Sequence, residues 1–453
     1  MRSAAIIGTG IAGMLTAHGL LKKGFRVTVY SDRTGEQWLT QSKPTGTAAR
    51  FDRSLRFDRE LGLNHWDRPE TAMQGVSLAF CLKPRNPLVT LTGRIQAPCR
   101  AIDVRLLSAR WMQDFVERGG RLVIEPVDLA RLDQIASEHD LTIVAAGRAQ
   151  LAQLFPRNEE RSVYSGPQRK LCLLVTRGGR MGFDRVPFLP VRFNLFATAG
   201  EAFWVPFWHK DHGPTWNLLF EAKPGGPMDQ FDGCKSGEEA LAVAKKVIRE
   251  LCPWDADWAE PMTLADPHGW LIGAVPPGVR APVGRLPSGR VVTGVGDTLM
   301  SLDPIGGQGA NNGTRMARNL VEAAAARGDA PFDAAWMEST FEQYWREEGS
   351  HIVRFNNILL EPLSAAGRSM LLSQYGSDGL SDTPAQRIAD QVAENFNDPH
   401  LITDGFVDDA AARKVIAGAG GRWPWSFMRG GLGVARGQAR QAVGLQPRHP
   451  AHV

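Results

Sequence analysis

Closely spaced glycines near the amino terminus indicate a site for a phosphate-containing ligand. The motif Gly8-Thr9-Gly10-Ile11-Ala12-Gly13 follows the apolar run 4–7 and precedes residues 14–21, whose apolar side chains have helical spacing. This order predicts a strand, a tight turn and a helix whose backbone N–H groups and positive end face a pyrophosphate. The predicted ligand contacts in this motif are Gly8, Gly10, Ile11, Ala12 and Gly13.

A second glycine-rich motif lies towards the other end of the chain, in residues 294–297 and 304–313. Asp297 follows a short strand, where its carboxylate could accept a hydrogen bond from a ribityl hydroxyl of FAD; an ordinary turn or helix cap is the alternative. The turn 306–309 can aim backbone N–H groups at the flavin pyrimidine edge and stabilise negative charge on the reduced ring. Two such motifs in this order indicate FAD rather than NAD. The predicted contacts are Asp297, Gly306, Gly307, Gln308, Gly309, Ala310 and Asn311.

Further cofactor contacts are predicted at the second strand and before the first long helix of the middle chain. The strand 26–30 is followed by Ser31 and then by Asp32 and Arg33. An acid near this place usually accepts the ribose hydroxyls of a dinucleotide, so Asp32 is the ribose candidate, although it could also be a turn residue. Arg100 could lie over the flavin or bind its phosphates, and a surface arginine at a helix start is the alternative.

Composition restricts the class of protein. The chain has 453 residues, 43% of them hydrophobic, and a net charge of +4, which indicates a globular protein of two or three domains rather than a disordered or nucleic-acid-binding one. The five cysteines are far apart and predict neither a zinc site nor disulfides. No apolar stretch approaches the roughly 18 to 20 residues that cross a bilayer. We therefore expect a soluble cytoplasmic protein with no metal and no membrane or nucleic-acid partner.

The order of predicted elements indicates an α/β fold. Residues 1–164 form the first part of a Rossmann-like FAD-binding domain, and 286–330 form its second part. The aromatic, alternating segment 165–285 predicts an inserted substrate-binding domain with a mixed or antiparallel β-sheet. Residues 331–415 are predicted to be helical. The Gly- and Arg-rich segment 416–453 is predicted to be a poorly ordered tail, with a basic partner-binding or membrane-surface segment as the alternative.

Several segments give the chain a more specific resemblance. The sequences GTGIAG, VTVYSDR, APCRAIDVRLLSARWMQDFVERGG, DLTIVAAG, PQRKLCLL, GVGDTLMSLDPIGGQGANNG and NFNDPH cover most of residues 1–400. With them the chain resembles the FAD-dependent monooxygenases of the styrene and indole monooxygenase type, which are the epoxidase components of two-component systems. The resemblance implies an FAD-binding domain of the aromatic-hydroxylase, or glutathione-reductase-2-like, type. It also implies a homodimer.

The source of electrons is predicted to lie outside the chain. Flavin hydroxylases that bind NADPH usually have an Asp-Gly pair where this sequence has 146–148, Ala-Gly-Arg, and no second dinucleotide turn is found in the sequence. We therefore expect reduced FAD to come from a separate NADH-dependent flavin reductase. Oxygen would then form a C4a-(hydro)peroxide that epoxidises or hydroxylates a small aromatic such as styrene or indole.

This chemistry needs a dry apolar pocket more than an acid–base dyad, and no such dyad is evident in the sequence. The family presents an Asn-Thr pair beside the flavin, which falls on Gly46 and Thr47 here, so Thr45 or Thr47 could supply a polar contact, or neither could. Thr47 and Pro304 are the predicted catalytic residues. The predicted pocket residues, each of which could instead be plain core, are Thr45, Phe193, Trp204, Phe207 and Trp208.

Three other functions are alternatives to the monooxygenase. A two-component flavin halogenase would carry a WxWxIP block, whereas the only WxW here is 423–425, without the following Ile-Pro. A flavin-dependent reductase or dehydrogenase would differ in a slow reaction of its reduced flavin with air. A flavin-binding protein without chemistry would retain FAD tightly through purification.

Overall fold

The structure is a computed structural model that describes residues 1–45, 49–146, 149–184, 186–443 and 445. Its strands are β1 (Ser3–Ile7), β2 (Arg26–Ser31), β3 (Met73–Lys83), β4 (Asn86–Cys99), β5 (Ala101–Ile102), β6 (Arg121–Ile124), β7 (Leu141–Val144), β8 (Lys170–Arg177), β9 (Pro190–Phe196), β10 (Gly200–His209), β11 (Gly213–Ala222), β12 (Thr263–Leu264), β13 (Trp270–Gly273), β14 (Gly278–Val279), β15 (Val283–Arg285), β16 (Val291–Gly294) and β17 (Met300–Ser301). Its helices are α1 (Ile11–Lys22), α2 (Gly35–Gln41), α3 (Asp52–Glu60), α4 (Val104–Glu117), α5 (Leu129–Glu138), α6 (Ala149–Ala152), α7 (Gly237–Leu251), α8 (Ala256–Ala259), α9 (Gly309–Ala326), α10 (Ala334–Tyr344), α11 (Ser350–Leu360), α12 (Ala365–Ser373), α13 (Pro384–Glu394), α14 (Asp409–Gly418) and α15 (Trp423–Ala442).

These elements form two compact units, each built from three stretches of chain. The first unit comprises Met1–Trp66, Ile102–Pro167 and Val275–Val353, and the second comprises Asp67–Ala101, Gln168–Ala274 and Arg354–Val453. This division differs from the single insertion expected at 165–285. The strands β3 and β4 join the second unit because β3 pairs with β9 along seven residues, a long-range pairing that local patterns do not reveal.

The first unit contains a six-stranded sheet in the order β15-β16-β7-β1-β2-β6. Strands β16, β7, β1, β2 and β6 run parallel, and β15 is antiparallel at one edge. Every residue of β1 is buried, which explains the apolar run that follows Ser3 in this strand. Because parallel strands end at the same edge, the segments that follow β1, β7 and β16 meet there, and both glycine motifs begin at this edge. The predicted α/β fold is confirmed.

The second unit contains a mixed sheet in the order β12-β8-β11-β10-β9-β3-β4. Its longest hairpin pairs β10 with β11 over ten residues. Across β9 and β10, Phe193 lies opposite Phe203, and Arg192 lies opposite Trp204. Since neighbouring residues of a strand point to opposite faces, the Phe193–Phe203 pair and Trp204 lie on different faces of this sheet.

The structure also corrects the expectation of an irregular tail after residue 416. Residues of α15 form a helix of 20 residues, and α14 ends only at Gly418. A side chain on Gly430 would overlap the Leu372 carbonyl, and one on Gly433 would overlap the Tyr375 ring. These glycines allow α15 to lie close against α12, which is why a composition typical of a loop forms a packed helix. None of the described helices has the length and hydropathy needed to span a membrane.

Candidate functional site

The glycines of the first motif have three different structural roles. Gly8 has a φ of +117°, and a Cβ on it would lie 2.7 Å from the Ala145 carbonyl oxygen. A Cβ on Gly13 would overlap the Gly8 carbonyl oxygen. Gly10, by contrast, has no atom of the described residues within 4 Å of the place where its Cβ would lie. The chain itself therefore needs Gly8 and Gly13, whereas Gly10 leaves space for a ligand to approach the backbone.

The N-terminus of α1 is suited to binding an anion. Gly10 is its N-cap, and no side chain in the described part of the protein caps the helix there. The first turn also contains no acidic residue. Free N–H groups and the helix dipole therefore favour a phosphate at this point, and the partly exposed Ile11 and Ala12 lie beside it. These residues fit the pyrophosphate of FAD.

The end of β2 separates the roles of two neighbouring polar residues. The Ser31 hydroxyl is buried and lies 2.9 Å from the Thr9 hydroxyl, which also accepts a hydrogen bond from Trp38 Nε1 at 3.0 Å. Asp32 is exposed, and Arg33 pairs with it at 2.8 Å while its guanidinium lies 4.8 Å from the Trp38 ring centroid. Asp32 thus has a fixed carboxylate at the surface, where a ribose could reach it. Nothing in the sequence pattern indicated that Trp38 contacts both Thr9 and Arg33 at the end of β2.

Asp297 lies where α1 and α9 come together. Gly296, with a φ of +65°, and Gly313 both approach Ala12, and a Cβ on Gly296 would be 3.0 Å from the Ala12 Cβ. Asp297 is exposed to solvent, and partial loss of hydration beside the surrounding protein raises the pKa of its carboxyl. A ligand hydroxyl that donates to Asp297 would replace that hydration. This position fits the ribityl contact predicted from the sequence.

The second glycine turn leads directly into α9. Asp303 caps the turn by accepting a hydrogen bond from Ile305 N at 3.2 Å. Gly307 has a φ of +61°, and no atom of the described residues lies within 4 Å of its Cβ position. Gln308 Nε2 donates to the Gly306 carbonyl at 2.9 Å. Among the described residues no side chain caps α9, so the N–H groups of Gly309 and Ala310 remain available at its positive end.

The Asn311 side chain has a positioning role, and the cofactor contact predicted for this residue stays a prediction. Its Nδ2 donates to the carbonyl oxygens of Ala49 and Gly307, both at 2.8 Å, and its Oδ1 accepts from Phe51 N at 2.9 Å. Both amide hydrogens are therefore used within the protein. The side chain ties the segment before α3 to the glycine turn before α9, so it positions the site instead of contacting the cofactor through its Nδ2.

Behind this connection lies a buried ion pair that sequence analysis missed. The Arg50 and Asp58 side chains are each 4% exposed, and Arg50 Nη1 lies 2.6 Å from Asp58 Oδ2. Arg50 also donates to the Thr314 hydroxyl at 3.2 Å. The pair anchors the start of the 50–58 segment against α9. Spacing alone offered no sign of it, because an i, i+8 Arg-Asp pair is ordinary on a protein surface.

The predicted catalytic residues are only partly described by the structure. Thr47 lies outside the described residues. Thr45 is exposed, and its N–H donates to the Lys43 carbonyl at 2.9 Å. Pro304 is half-buried and begins the turn that leads to Gly307. The roles of Thr45, Thr47 and Pro304 stay predictions.

Arg100 belongs to the second unit, whereas both glycine motifs belong to the first. Its guanidinium forms an ion pair with Asp67 and donates to the Arg68 carbonyl. These contacts account for the arginine without a cofactor. A flavin contact by Arg100 stays a prediction.

The predicted aromatic pocket residues lie on both faces of the second unit's sheet. On one face Phe193 stacks on Phe203, with ring centroids 5.2 Å apart, and contacts Phe396 at 6.0 Å. Phe207 is on this face as well, because it lies four residues from Phe203 along β10. Trp204 and Trp208 point the other way. Since one pocket wall uses one face, the grouping of all four residues in one pocket was wrong.

Trp204 is part of the core behind the sheet. It is 1% exposed and makes edge contacts at 5.9 Å with both Phe183 and Trp216. The same cluster includes the buried face of α7. The sequence predicts that successive side chains of β10 point to opposite faces. The pairing of β9 with β10 is needed to assign Phe193 and Phe207 to a common face.

Comparison with known proteins agrees with this geometry. Residues 147–257 match the model of the substrate-binding domain of styrene monooxygenase A, and residues 6–59 match that of the NAD(P)-binding Rossmann-like domain. Styrene monooxygenase StyA of Pseudomonas fluorescens is 26% identical over 412 residues, which cover 88% of this chain and 94% of that protein.

The chain is similar to styrene monooxygenase, and these matches support a styrene monooxygenase-type flavoprotein. It is an FAD-dependent monooxygenase of the two-component kind, as the resemblance implied. The fold of this flavoprotein is shared with the flavin-dependent brominase Bmp2, with a TM-score of 0.58 at 15% identity over 92% of this chain and 98% of that one. It is also shared with p-nitrophenol 4-monooxygenase PnpA of Pseudomonas putida, with a TM-score of 0.54 at 14% identity over 92% and 98%.

Proposed function

We propose that this flavoprotein uses O2 and reduced FAD, delivered by a separate NADH-dependent flavin reductase in the cytoplasm, to epoxidise or hydroxylate a small apolar aromatic such as styrene or indole. Reduced FAD supplies the electrons that activate O2. The chain's own residues bind the cofactor and hold an apolar substrate away from water. A homodimer, implied by the resemblance, stays a prediction that sedimentation can test.

The observation that carries the proposal is the pair of uncapped helix N-termini at one edge of a single sheet. The α1 terminus at Gly10 favours a diphosphate, and the α9 terminus beyond Gly307 favours negative charge on a reduced ring. Asp297 lies beside the contact between these two helices. An arrangement with two positive helix ends serves a reduced, anionic flavin better than a neutral oxidised one.

The substrate class is inferred from the second unit. The matched substrate-binding domain includes β8 to β11, and Phe193, Phe203 and Phe207 share one face there. Phenylalanine rings offer edge and face contacts to an aromatic substrate and no polar group that would select a charged one.

The structure offers no support for a halogenase beyond the shared fold. The WxW sequence lies on α15, and Trp425 is 67% exposed. A tryptophan that faces solvent cannot line a halide or substrate pocket in the described structure. Only a bromide-dependent brominated product in the test below would indicate a halogenase.

The test combines the protein with anaerobically reduced FAD and then adds aerated buffer with styrene or indole, with and without bromide. We expect oxygenated product in an amount approaching the flavin added, with little hydrogen peroxide. Stoichiometric peroxide with no product would contradict the proposal, and so would a brominated product that needs bromide. The Gly10→Ala variant serves as control, since it should fold and yet form little product.

A further inference from the structure

Helix α15 carries a stripe of exposed apolar side chains. Trp425, Met428 and Leu432 are 67%, 48% and 60% exposed. Their spacing of three and four residues places them in one row, which continues through the exposed Ala435 and Ala439. The helix has 20 residues, so the row can extend for much of about 30 Å. Isolated exposed leucines are normal, but an aligned row with a tryptophan is not.

The opposite face of α15 fixes the orientation of this row. Gly430 and Gly433 are buried against α12. Near the end of the helix, Gln438 Nε2 donates to the Asn86 side chain at 3.0 Å, and Gln441 Nε2 donates to the Pro87 carbonyl at 3.3 Å. All these contacts lie within the second unit. The helix is therefore held on one side, and its apolar row is not the face that stabilises the fold.

A row of arginines lies next to the apolar row. Arg429 and Arg436 are exposed and follow Trp425 and Leu432 by four residues, so each neighbours one of them on the helix surface. Arg422 and Arg440 are exposed as well, and none of these four arginines forms an ion pair with any residue that the structure describes.

The charge of this part of the chain is one-sided. Residues 410–453 contain seven Lys and Arg and no Asp or Glu, although the whole chain has a net charge of only +4. A second copy of α15 would bring arginines together with no carboxylate to oppose them. Nucleic acid would satisfy the arginines, but it offers nothing to a row of Trp, Met and Leu. An anionic lipid surface satisfies both rows, with acyl chains beneath phosphate headgroups.

We propose that α15 binds the surface of a bilayer that contains anionic lipid, with Trp425, Met428 and Leu432 entering the interface and the arginines at the headgroups. This differs from the expectation of no membrane partner. It matches the alternative considered for the basic tail. The proposal concerns where the protein resides and holds whichever substrate it oxidises.

Vesicle flotation of the full chain tests the proposal. One set of vesicles contains equal amounts of phosphatidylglycerol and phosphatidylcholine, and the other contains phosphatidylcholine alone. We expect at least tenfold stronger binding to the anionic set, and loss of most of this binding in 1 M salt, where the Debye length falls to about 3 Å. The double variant Arg429→Gln/Arg436→Gln should bind about 25-fold more weakly, at about fivefold per charge.

Two further variants separate the apolar row from simple charge. Trp425→Ala/Leu432→Ala should bind anionic vesicles at least tenfold more weakly with its charge unchanged. The control Lys246→Gln/Arg249→Gln removes two exposed cations from α7 and should bind like the wild type.

Several results would overturn the proposal. These are equal binding to both vesicle sets, no binding to either, or a loss of binding in the α7 control as large as in the α15 variants. Binding to duplex DNA without binding to vesicles would assign the arginines to nucleic acid. A dimer that dissociates in Trp425→Ala/Leu432→Ala, again without vesicle binding, would assign the apolar row to a second copy.

Discussion

Replacement of Asn311 by alanine should disturb the geometry of the site while leaving the backbone groups that bind the cofactor in place. The substitution removes the three hydrogen bonds that connect Ala49 and Phe51 to Gly307 across the start of α9. Each hydrogen bond contributes about 1 kcal/mol net, so the variant loses about 3 kcal/mol of the free energy that holds the 49–51 segment against Gly307. This loss corresponds to a roughly 100-fold larger population of molecules in which the segment is displaced. The segment released is the one that follows the predicted contact Thr47.

The assay measures how much of the oxygen consumed appears in product and how much in hydrogen peroxide, with reduced FAD supplied in excess. Asn311→Ala should shift most of the oxygen to peroxide, because the site loses its fixed geometry while its backbone donors remain. Urea unfolding should show a loss of up to about 3 kcal/mol in the same variant.

Asn312→Ala provides the matched control. Asn312 is on the same helix and is equally buried, but its Oδ1 accepts a hydrogen bond from the Tyr344 hydroxyl at 2.7 Å instead of bonding to the 49–51 segment. We expect it to lose stability and to keep its coupling of oxygen to product. The reasoning fails if Asn311→Ala couples like the wild type, or if Asn312→Ala loses coupling to the same degree.

Three further tests give distinct outcomes. Gly10→Ala should weaken FAD binding at least tenfold by titration and leave the Tm of the FAD-free protein unchanged, because no described atom lies within 4 Å of its Cβ position. The helical control Gly418→Ala should leave FAD binding unchanged. In substrate competition, Phe193→Leu should alter the styrene-to-indole ratio of kcat/KM several-fold, whereas Trp204→Phe should cost about 2 kcal/mol in urea unfolding and leave that ratio alone. Burial lowers the pKa of His18 to about 4, so the unfolded state binds more protons than the folded state between pH 4 and 6.5, and the stability of the wild type should fall as the pH falls through this window. In His18→Gln, urea unfolding should show a smaller fall in stability. An equal fall in both proteins would refute the assignment of this pH dependence to His18.

The first glycine motif was predictable because its chemistry is local. Gly8, Gly10 and Gly13 need only the strand before them and the helix after them, both of which are evident in the sequence. The same is true of Gly307, whose positive φ follows from a turn between a short strand and a long helix. Backbone geometry over six to ten residues determines these positions, and tertiary context adds little.

The features that the sequence could not predict depend on pairings between distant segments. Trp204 and Phe193 could be assigned to faces only through the register of β9 against β10. The Asn311 side chain hydrogen-bonds Ala49 and Phe51, which are about 260 positions away in the chain, and no local pattern records these contacts. In α15, Gly430 looked like a loop residue, although it is needed where two helices approach each other closely.

The uncapped N-termini of α1 and α9 make the stability of this protein depend on the concentration of flavin. Backbone donors that no side chain in the described structure satisfies are satisfied by a ligand instead, so every bound cofactor adds to the free energy of unfolding. At a free flavin concentration 100 times its Kd, the gain is about 2.7 kcal/mol. Two positive helix ends favour the anionic reduced form, so the protein is most resistant to unfolding and proteolysis while the reductase is active. Its lifetime in the cell should therefore lengthen with the reducing state of its surroundings.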